Sequence, residues 1–225
     1  MRLSVPSWLQ RGGWLENLRV AETLGWAEGV ELLVFSFEGE DRGLFLSELP
    51  GLAEAGRRLS LSVHLPDPLL PAHGELVEAT RGFVESYVVH PPRVEAGAPG
   101  LEAWVGLLGA WRRRWGDDFL LERTEAAPFA AADAALPDLP LCADTGRLLL
   151  EGESPAAWLS ARAARVREIH LHGVEGGRDH RPFRGDEAWL VALRPLLEAY
   201  SGRIELELFS LDHVKAAAAA LEIRS

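Results

Sequence analysis

REIHLH, residues 167–172, decides the fold when it is set beside LSLSVHL (59–65), YVVH (87–90), DFLLE (118–122), LPLCAD (139–144) and RIELELF (203–209). Each is a short apolar run that closes on or near a histidine or carboxylate: His64, His90, Glu122, Asp144, His170 with His172, and Glu207. Two further runs precede them, Leu3–Ser7 and GVELLVFSF at 29–37. Runs of this length, apolar on both faces, read as strands covered by helices outside and by core inside.

Amphipathic stretches separate the runs. WLENLRVAETL (14–24) sets Trp14, Leu15, Leu18 and Leu24 on one face. LFLSELPGLAEAGRRL (44–59) reads as a helix interrupted or capped at Pro50-Gly51. ELVEATRGFVESY, GLEAWVGLLGAWRRRWG, the Ala-rich 126–136, SPAAWLSARAARV, DEAWLVALRPLLEAY and SLDHVKAAAAALEI follow in turn. Ser154 and Pro155 suit the cap and first position of a helix, and Pro195 is expected to bend the one that holds it. Strands alternating with helices in right-handed units can close into a compact (β/α)8 TIM barrel. An open doubly wound sheet is the runner-up, but no GxGxxG follows the first strand and no P-loop occurs. No composition shift marks a boundary, so residues 1–225 read as a single domain. The polar stretches 66–74, 91–99 and 173–185 read as loops over the barrel mouth.

The 225 residues are 48% hydrophobic and carry a formal charge of −11, with Cys142 as the lone cysteine. An acidic surface repels nucleic acid, and one cysteine forms no intrachain disulfide. The opening MRLSVPSWLQRGGW lacks the apolar stretch of a secretory signal, and no run approaches the ~18 apolar residues of a membrane span. A cytoplasmic protein without nucleic-acid or membrane partners is expected; its oligomeric state is not legible.

Active sites of β/α barrels are built at the C-terminal strand ends, where each strand contributes one or two inward groups. A carboxylate at the end of an apolar strand is costly to bury unless paired or metal-bound. Glu122 therefore reads as a metal ligand or as the partner of an arginine such as Arg123. Glu205 and Glu207 share a face by the period of two, and Glu207 is nearer the mouth. His170 and His172 pose the same choice: one on metal with the other on substrate, or one in the core. Asp144 reads as a turn residue or a ligand. Asp179 and His180 read as loop residues that close a metal shell, grip a phosphate or face solvent. Arg123, Arg147, Arg178 and Arg181 lie near strand ends or mouth loops, where guanidinium forks suit phosphate. Trp8 and Trp14 are candidates for an apolar rim. His73 and His213 look peripheral, and Cys142 looks like core.

The motifs SVHLP, VVHPP, LLERT, CADTGRLLLEG, IHLHG, GRDHRPF and IELELF, in that order, resemble the xylose isomerase-like TIM barrels that include AP endonucleases and sugar-phosphate isomerases. Within these, VPSWLQRGGWLENLRVAETL (with Asn17), GVELLVF, SVHLPDPL and IHLHGVEGGRDHRPF resemble the cobamide-remodelling phosphodiesterase (CbiR) family, over about residues 5 to 210. That resemblance implies hydrolysis of the nucleotide-loop phosphodiester of adenosylcobalamin, giving a cobinamide phosphate and α-ribazole, with a corrinoid as the small-molecule partner. It implies His64, His90, Glu122, Asp144, His170, His180 and Glu207 as metal ligands, with His170 preferred over His172. It leaves His172, Arg123, Arg178, Asp179 and Arg181 to substrate. Glu122, Asp144, Glu207 and Arg147 would act in catalysis. Two departures stand out. The superfamily's Asp-x-x-His reads Asp144-Thr-Gly-Arg147 here, and its Asp-x-His reads Asp179-His180. One or two divalent ions, zinc, manganese or iron, are therefore expected rather than three. The alternatives are a sugar or sugar-phosphate isomerase or epimerase, an abasic-site endonuclease, which the charge disfavours, and a non-catalytic metabolite-binding barrel.

Overall fold

In the computed structural model, which describes residues 2–93 and 100–223, eight parallel strands close into a barrel. The barrel strands are β1 (Arg2–Pro6), β2 (Gly29–Leu33), β3 (Ser60–His64), β4 (Ser86–Val89), β5 (Phe119–Glu122), β6 (Leu141–Asp144), β7 (Val166–His170) and β10 (Arg203–Glu205). Their order around the wall is β1-β10-β7-β6-β5-β4-β3-β2, so β1 and β10 seal the seam. Helices α1 (Trp14–Glu22), α2 (Gly39–Ala55), α3 (Gly74–Thr80), α4 (Leu101–Trp115), α5 (Ala126–Ala135), α6 (Thr145–Leu150), α7 (Pro155–Arg162), α8 (Ala188–Ala199) and α9 (Leu211–Ala220) form the outer layer. No helix of the described residues is long and apolar enough to cross a membrane.

Strand alternation sorts the side chains. Leu3, Val5, Val30, Leu32, Leu61, Val63, Tyr87, Val89, Phe119 and Leu121 join the core between wall and helices. The inward set is unusual. Its apolar part is Val88, Leu120 and Cys142. The rest is polar: Ser4, Glu31, Ser62, Glu168, His170 and Glu205, all buried. Barrel interiors are ordinarily filled by branched apolar residues, so this polar filling is itself informative.

Several elements depart from the sequence reading. β2 ends at Leu33 rather than residue 37, which frees Phe35 for the mouth. Helix α2 runs through Pro50, and Gly51 lets it pack against α1: a Cβ there would meet Leu15 at 2.6 Å. The amphipathic 75–87 stretch yields only the short α3. CADTGRLLL holds a helix, α6, whose N-cap is Asp144: its side chain accepts from Arg147 N at 2.9 Å. The loop after strand seven is a hairpin, β8 (Gly173–Glu175) with β9 (Arg178–Arg181). Its turn uses Gly176 and Gly177 at φ 59° and 73°, conformations natural to glycine. Ser154 caps α7 with Pro155 in its first turn, as expected. Of the loop at 91–99, residues 94–99 lie outside the described residues.

Candidate metal centre

The C-terminal ends of the strands open on a cavity of about 300 Å³. His64, His90, Glu122, Asp144, His180 and Glu207 line it, together with Arg147, Asp67 and Arg93. A larger cavity, about 640 Å³, lies at the opposite end of the barrel, away from these groups.

One half of the mouth is built by β3, β4 and β5. His64 Nε2 and His90 Nε2 stand 3.0 and 2.7 Å from the same oxygen, Glu122 Oε2. The other nitrogens are held from behind. His64 Nδ1 faces the Leu65 carbonyl at 3.2 Å, which can only accept. His90 Nδ1 faces Asp67 Oδ2 at 3.4 Å, and Asp67 is itself held by Arg93 Nε at 2.7 Å. An acceptor on Nδ1 fixes its proton there and turns the Nε2 lone pair inward, the usual arrangement of a metal-ligating imidazole. With no metal bound, burial opposes the His90 cation, but Glu122 and Asp67 outweigh it and push His90 up to about 10. Burial likewise opposes ionised Glu122, and the facing histidines hold it well below the usual carboxylate range.

The other half comes from β6, the hairpin and the chain after β10. His180 Nε2 lies 3.3 Å from Glu207 Oε2, while its Nδ1 faces Asp179 Oδ1 at 3.1 Å. Arg147 Nη1 reaches the second Asp179 oxygen at 3.2 Å. His180 adopts a φ of 52°, rare for a residue with a Cβ. This turns its backbone N–H onto His172 Nδ1, at 3.0 Å. His172 Nδ1 is thereby an acceptor. In the neutral ring the proton sits on Nε2, which points to Asp144 Oδ1 at 3.0 Å and Glu207 Oε2 at 3.3 Å.

Ligand atoms of His64, His90 and Glu122 lie within 4.8 Å of one another, and so do those of His172, His180 and Glu207. Both sets suit a divalent ion of the zinc, manganese or iron kind. Glu207 Oε2 is buried, and the imidazole nitrogens 3.3 Å from it make no hydrogen bond of good geometry, which suits a ligand atom. In the second set His172 Nδ1 is taken by the His180 N–H, and its Nε2 also faces Asp144.

Some expected residues stand elsewhere. His170 does not line the cavity. It lies one layer down, with Nδ1 at 3.5 Å from Glu122 and 3.4 Å from Glu207, and Nε2 at 3.4 Å from Glu31. His172 is fully buried and likewise off the cavity wall, so a direct substrate contact is not its position. Arg123 follows Glu122 on the strand and therefore points outward; it is buried and bonds Thr124, Glu151 and Glu153 rather than facing the mouth. Arg178 and Arg181 lie on β9 and do not line the cavity, and Asp179 supports His180 and Arg147 from behind. Trp14 is tied to the Leu33 carbonyl and packs on Phe45, so it does not form the rim.

Trp8 does form the rim, with two aromatics the sequence reading passed over. Trp8, Phe35 and Phe209 are 45%, 59% and 36% exposed. Trp8 meets Phe35 edge-on at 5.9 Å, Phe35 meets Phe209 at 6.4 Å, and Phe209 stacks on His180 at 4.6 Å. Asp67 was also missed; its signal was the short spacing from His64 in HLPDP.

No protein-family model and no curated protein sequence matches the chain. Solved structures do. AP endonuclease, family 2, from Brucella melitensis has a TM-score of 0.69 at 12% identity, over 100% of this chain and 99% of that one. The 3-keto-D-glucoside 4-epimerase YcjR from E. coli has 0.66 at 15%, over 99% and 98%. An L-ribulose 3-epimerase has 0.66 at 18%, over 98% and 94%. The chain shares the closed (β/α)8 barrel fold of these structures. At these identities the likeness establishes the fold, and the chemistry must be argued from the site.

Proposed function

We propose that this barrel is a divalent-metal-dependent phosphodiesterase whose substrate is a corrinoid, cleaved at its nucleotide-loop phosphodiester. The observation that carries the reading is two His/carboxylate sets facing one cavity, with Arg147 and Arg93 in its wall. His64, His90 and Glu122 would hold one ion, and His180 and Glu207 a second. Such ions neutralise charge on phosphoryl oxygens and make a water nucleophilic at neutral pH.

The chain's own residues supply the rest. Arg147 is anchored on Asp179 and half-exposed toward the cavity, a fixed positive charge for a phosphate oxygen. Asp144 is held by Arg147 N and His172, so one oxygen stays oriented while the other faces the cavity. It accepts a proton from the attacking water. The water oxygen forms the new P–O bond as the P–O bond to the ribose breaks, and the leaving oxygen takes up a proton. The Trp8–Phe35–Phe209 rim gives a large, flat apolar ligand a face to lie on. The sequence resemblance to the cobamide-remodelling phosphodiesterases supplies the substrate name.

A second reading is a sugar or sugar-phosphate isomerase or epimerase, using the same ring to move a proton beside a carbonyl. The names of the solved structures weigh toward it, since several are sugar isomerases or epimerases. The three mouth-facing imidazoles, His64, His90 and His180, and the apolar rim weigh toward the first.

Mass spectrometry of products after incubation with adenosylcobalamin, with zinc, manganese or iron and with a chelated control, separates the two. The proposal expects metal-dependent cobinamide phosphate and α-ribazole. In Arg147→Ala, kcat/KM should fall by roughly 10²-fold, the scale for one lost charge-stabilising donor. Intact corrinoid in every condition, with conversion of a ketose or its phosphate, establishes the second reading instead.

A further inference from the structure

Beneath the mouth lies a second polar cluster that the proposed chemistry does not use. Glu31 from β2, Glu168 and His170 from β7, and Glu205 from β10 meet on the barrel axis, each 0–1% exposed. Ligand atoms of Glu31, Glu168 and His170 lie within 4.8 Å of one another. Both oxygens of Glu31, both of Glu205 and both ring nitrogens of His170 are buried without a hydrogen-bond partner, as is the Ser4 hydroxyl. Only Glu168 is served, by Ser62 at 3.4 Å and Ser86 at 3.2 Å.

The charges do not balance. Three carboxylates share one guanidinium, Arg203, whose Nε is 3.7 Å from Glu168, and one imidazole, His170, whose Nε2 is 3.4 Å from Glu31. Its other nitrogens bond Ser62, Ser60 and Glu85. Burying an unpaired carboxylate costs several kcal/mol, and three together are tolerated only with a compensating cation or with protons.

We infer that the barrel axis holds a divalent cation on Glu31, Glu168 and His170, with Glu205 beside it, separate from the mouth. Carboxylate oxygens with one imidazole suit manganese, zinc or iron. The ion would tie β2 and β7 together and fix His170 under Glu122 and Glu207. The cavity of about 640 Å³ at the N-terminal end reaches Glu168, Ser86 and Leu120, which supplies a way in that does not pass the mouth.

The test counts manganese per chain by mass spectrometry after loading during refolding and desalting. Wild type, a mouth variant (His64→Ala with His180→Ala) and an interior variant (Glu31→Gln with Glu205→Gln) are compared. The mouth variant should retain a single ion per chain and release it when unfolded in urea with chelator. The interior variant should contain fewer ions than wild type by that same ion. If the interior variant does not fold, the mouth variant decides alone. A folded mouth variant that retains no manganese overturns the inference. So does an interior variant with unchanged manganese content, which would mean that protons hold the carboxyls. Neither result depends on which reaction the mouth performs.

Discussion

Asn17→Ala tests how the mouth is framed. Asn17 is fully buried on α1. Its Oδ1 accepts from Leu9 N at 2.8 Å and Gln10 N at 3.0 Å, and its Nδ2 donates to Gln10 O at 3.3 Å and Gly13 O at 2.9 Å. Four bonds from one amide thus fix the segment that carries Trp8 to the edge of Phe35. Alanine would leave the Leu9 N–H buried and unpaired and the Gln10 N–H partly so. A buried orphan costs about 1–3 kcal/mol and a half-exposed one less, so the total is about 2–4 kcal/mol. With a urea slope of about 2–3 kcal/mol per molar, the midpoint should fall by about 1 M. Aspartate should not rescue, because it keeps both accepted bonds but turns an anionic oxygen toward two carbonyls. The second readout is kinetic. KM for the corrinoid should rise while turnover of a small aryl phosphodiester stays unchanged, because the rim loosens and the metal ligands do not move. A stability loss under about 0.5 kcal/mol would refute the accounting, and equal loss on both substrates would refute the assignment of Asn17 to the rim.

Two further outcomes follow from the same geometry. Gly146→Ala would place a Cβ 2.1 Å from His172 Cε1 and 2.3 Å from Nδ1, so the ring must move and release Asp144. Metal content and activity should both drop although the protein still folds; an unchanged metal count would show that His172 does not position the site. The metal-free protein should also be pH-dependent through His90, whose folded pKa of about 10 exceeds the unfolded value of about 6.5. Raised pKa means a contribution fully present below pH ~6.5 and lost as pH climbs through ~10, so urea midpoints should fall across that window. Loading zinc near pH 7 must expel the proton, and a weakly buffered titration with an indicator should read its release. Metal uptake with no proton release would show that His90 keeps its proton and is not a ligand.

The sequence by itself determined the barrel and its polar end. Short apolar strands closing on His64, His90, Glu122, Asp144 and Glu207 need only the period of two and the β/α alternation to be read, and all five line one cavity. The same period shows that Arg123, one residue past Glu122, points outward, a consequence the sequence reading did not draw. Depth is different. His170 and His172 share a face, as do Glu205 and Glu207, so periodicity cannot say which member reaches the mouth. That depends on strand stagger, which sets His170 opposite Glu205 and Asp144 and below the ligand layer. The turn of the hairpin through Gly176 and Gly177, and the left-handed His180, decide which nitrogen of His172 carries a proton. The rim of Trp8, Phe35 and Phe209 joins three loops distant in sequence. Local pattern fixes which side chains face inward; only closure of the barrel fixes how deep each one lies and what it meets there, because depth is a property of the strands' mutual tilt and not of any strand alone.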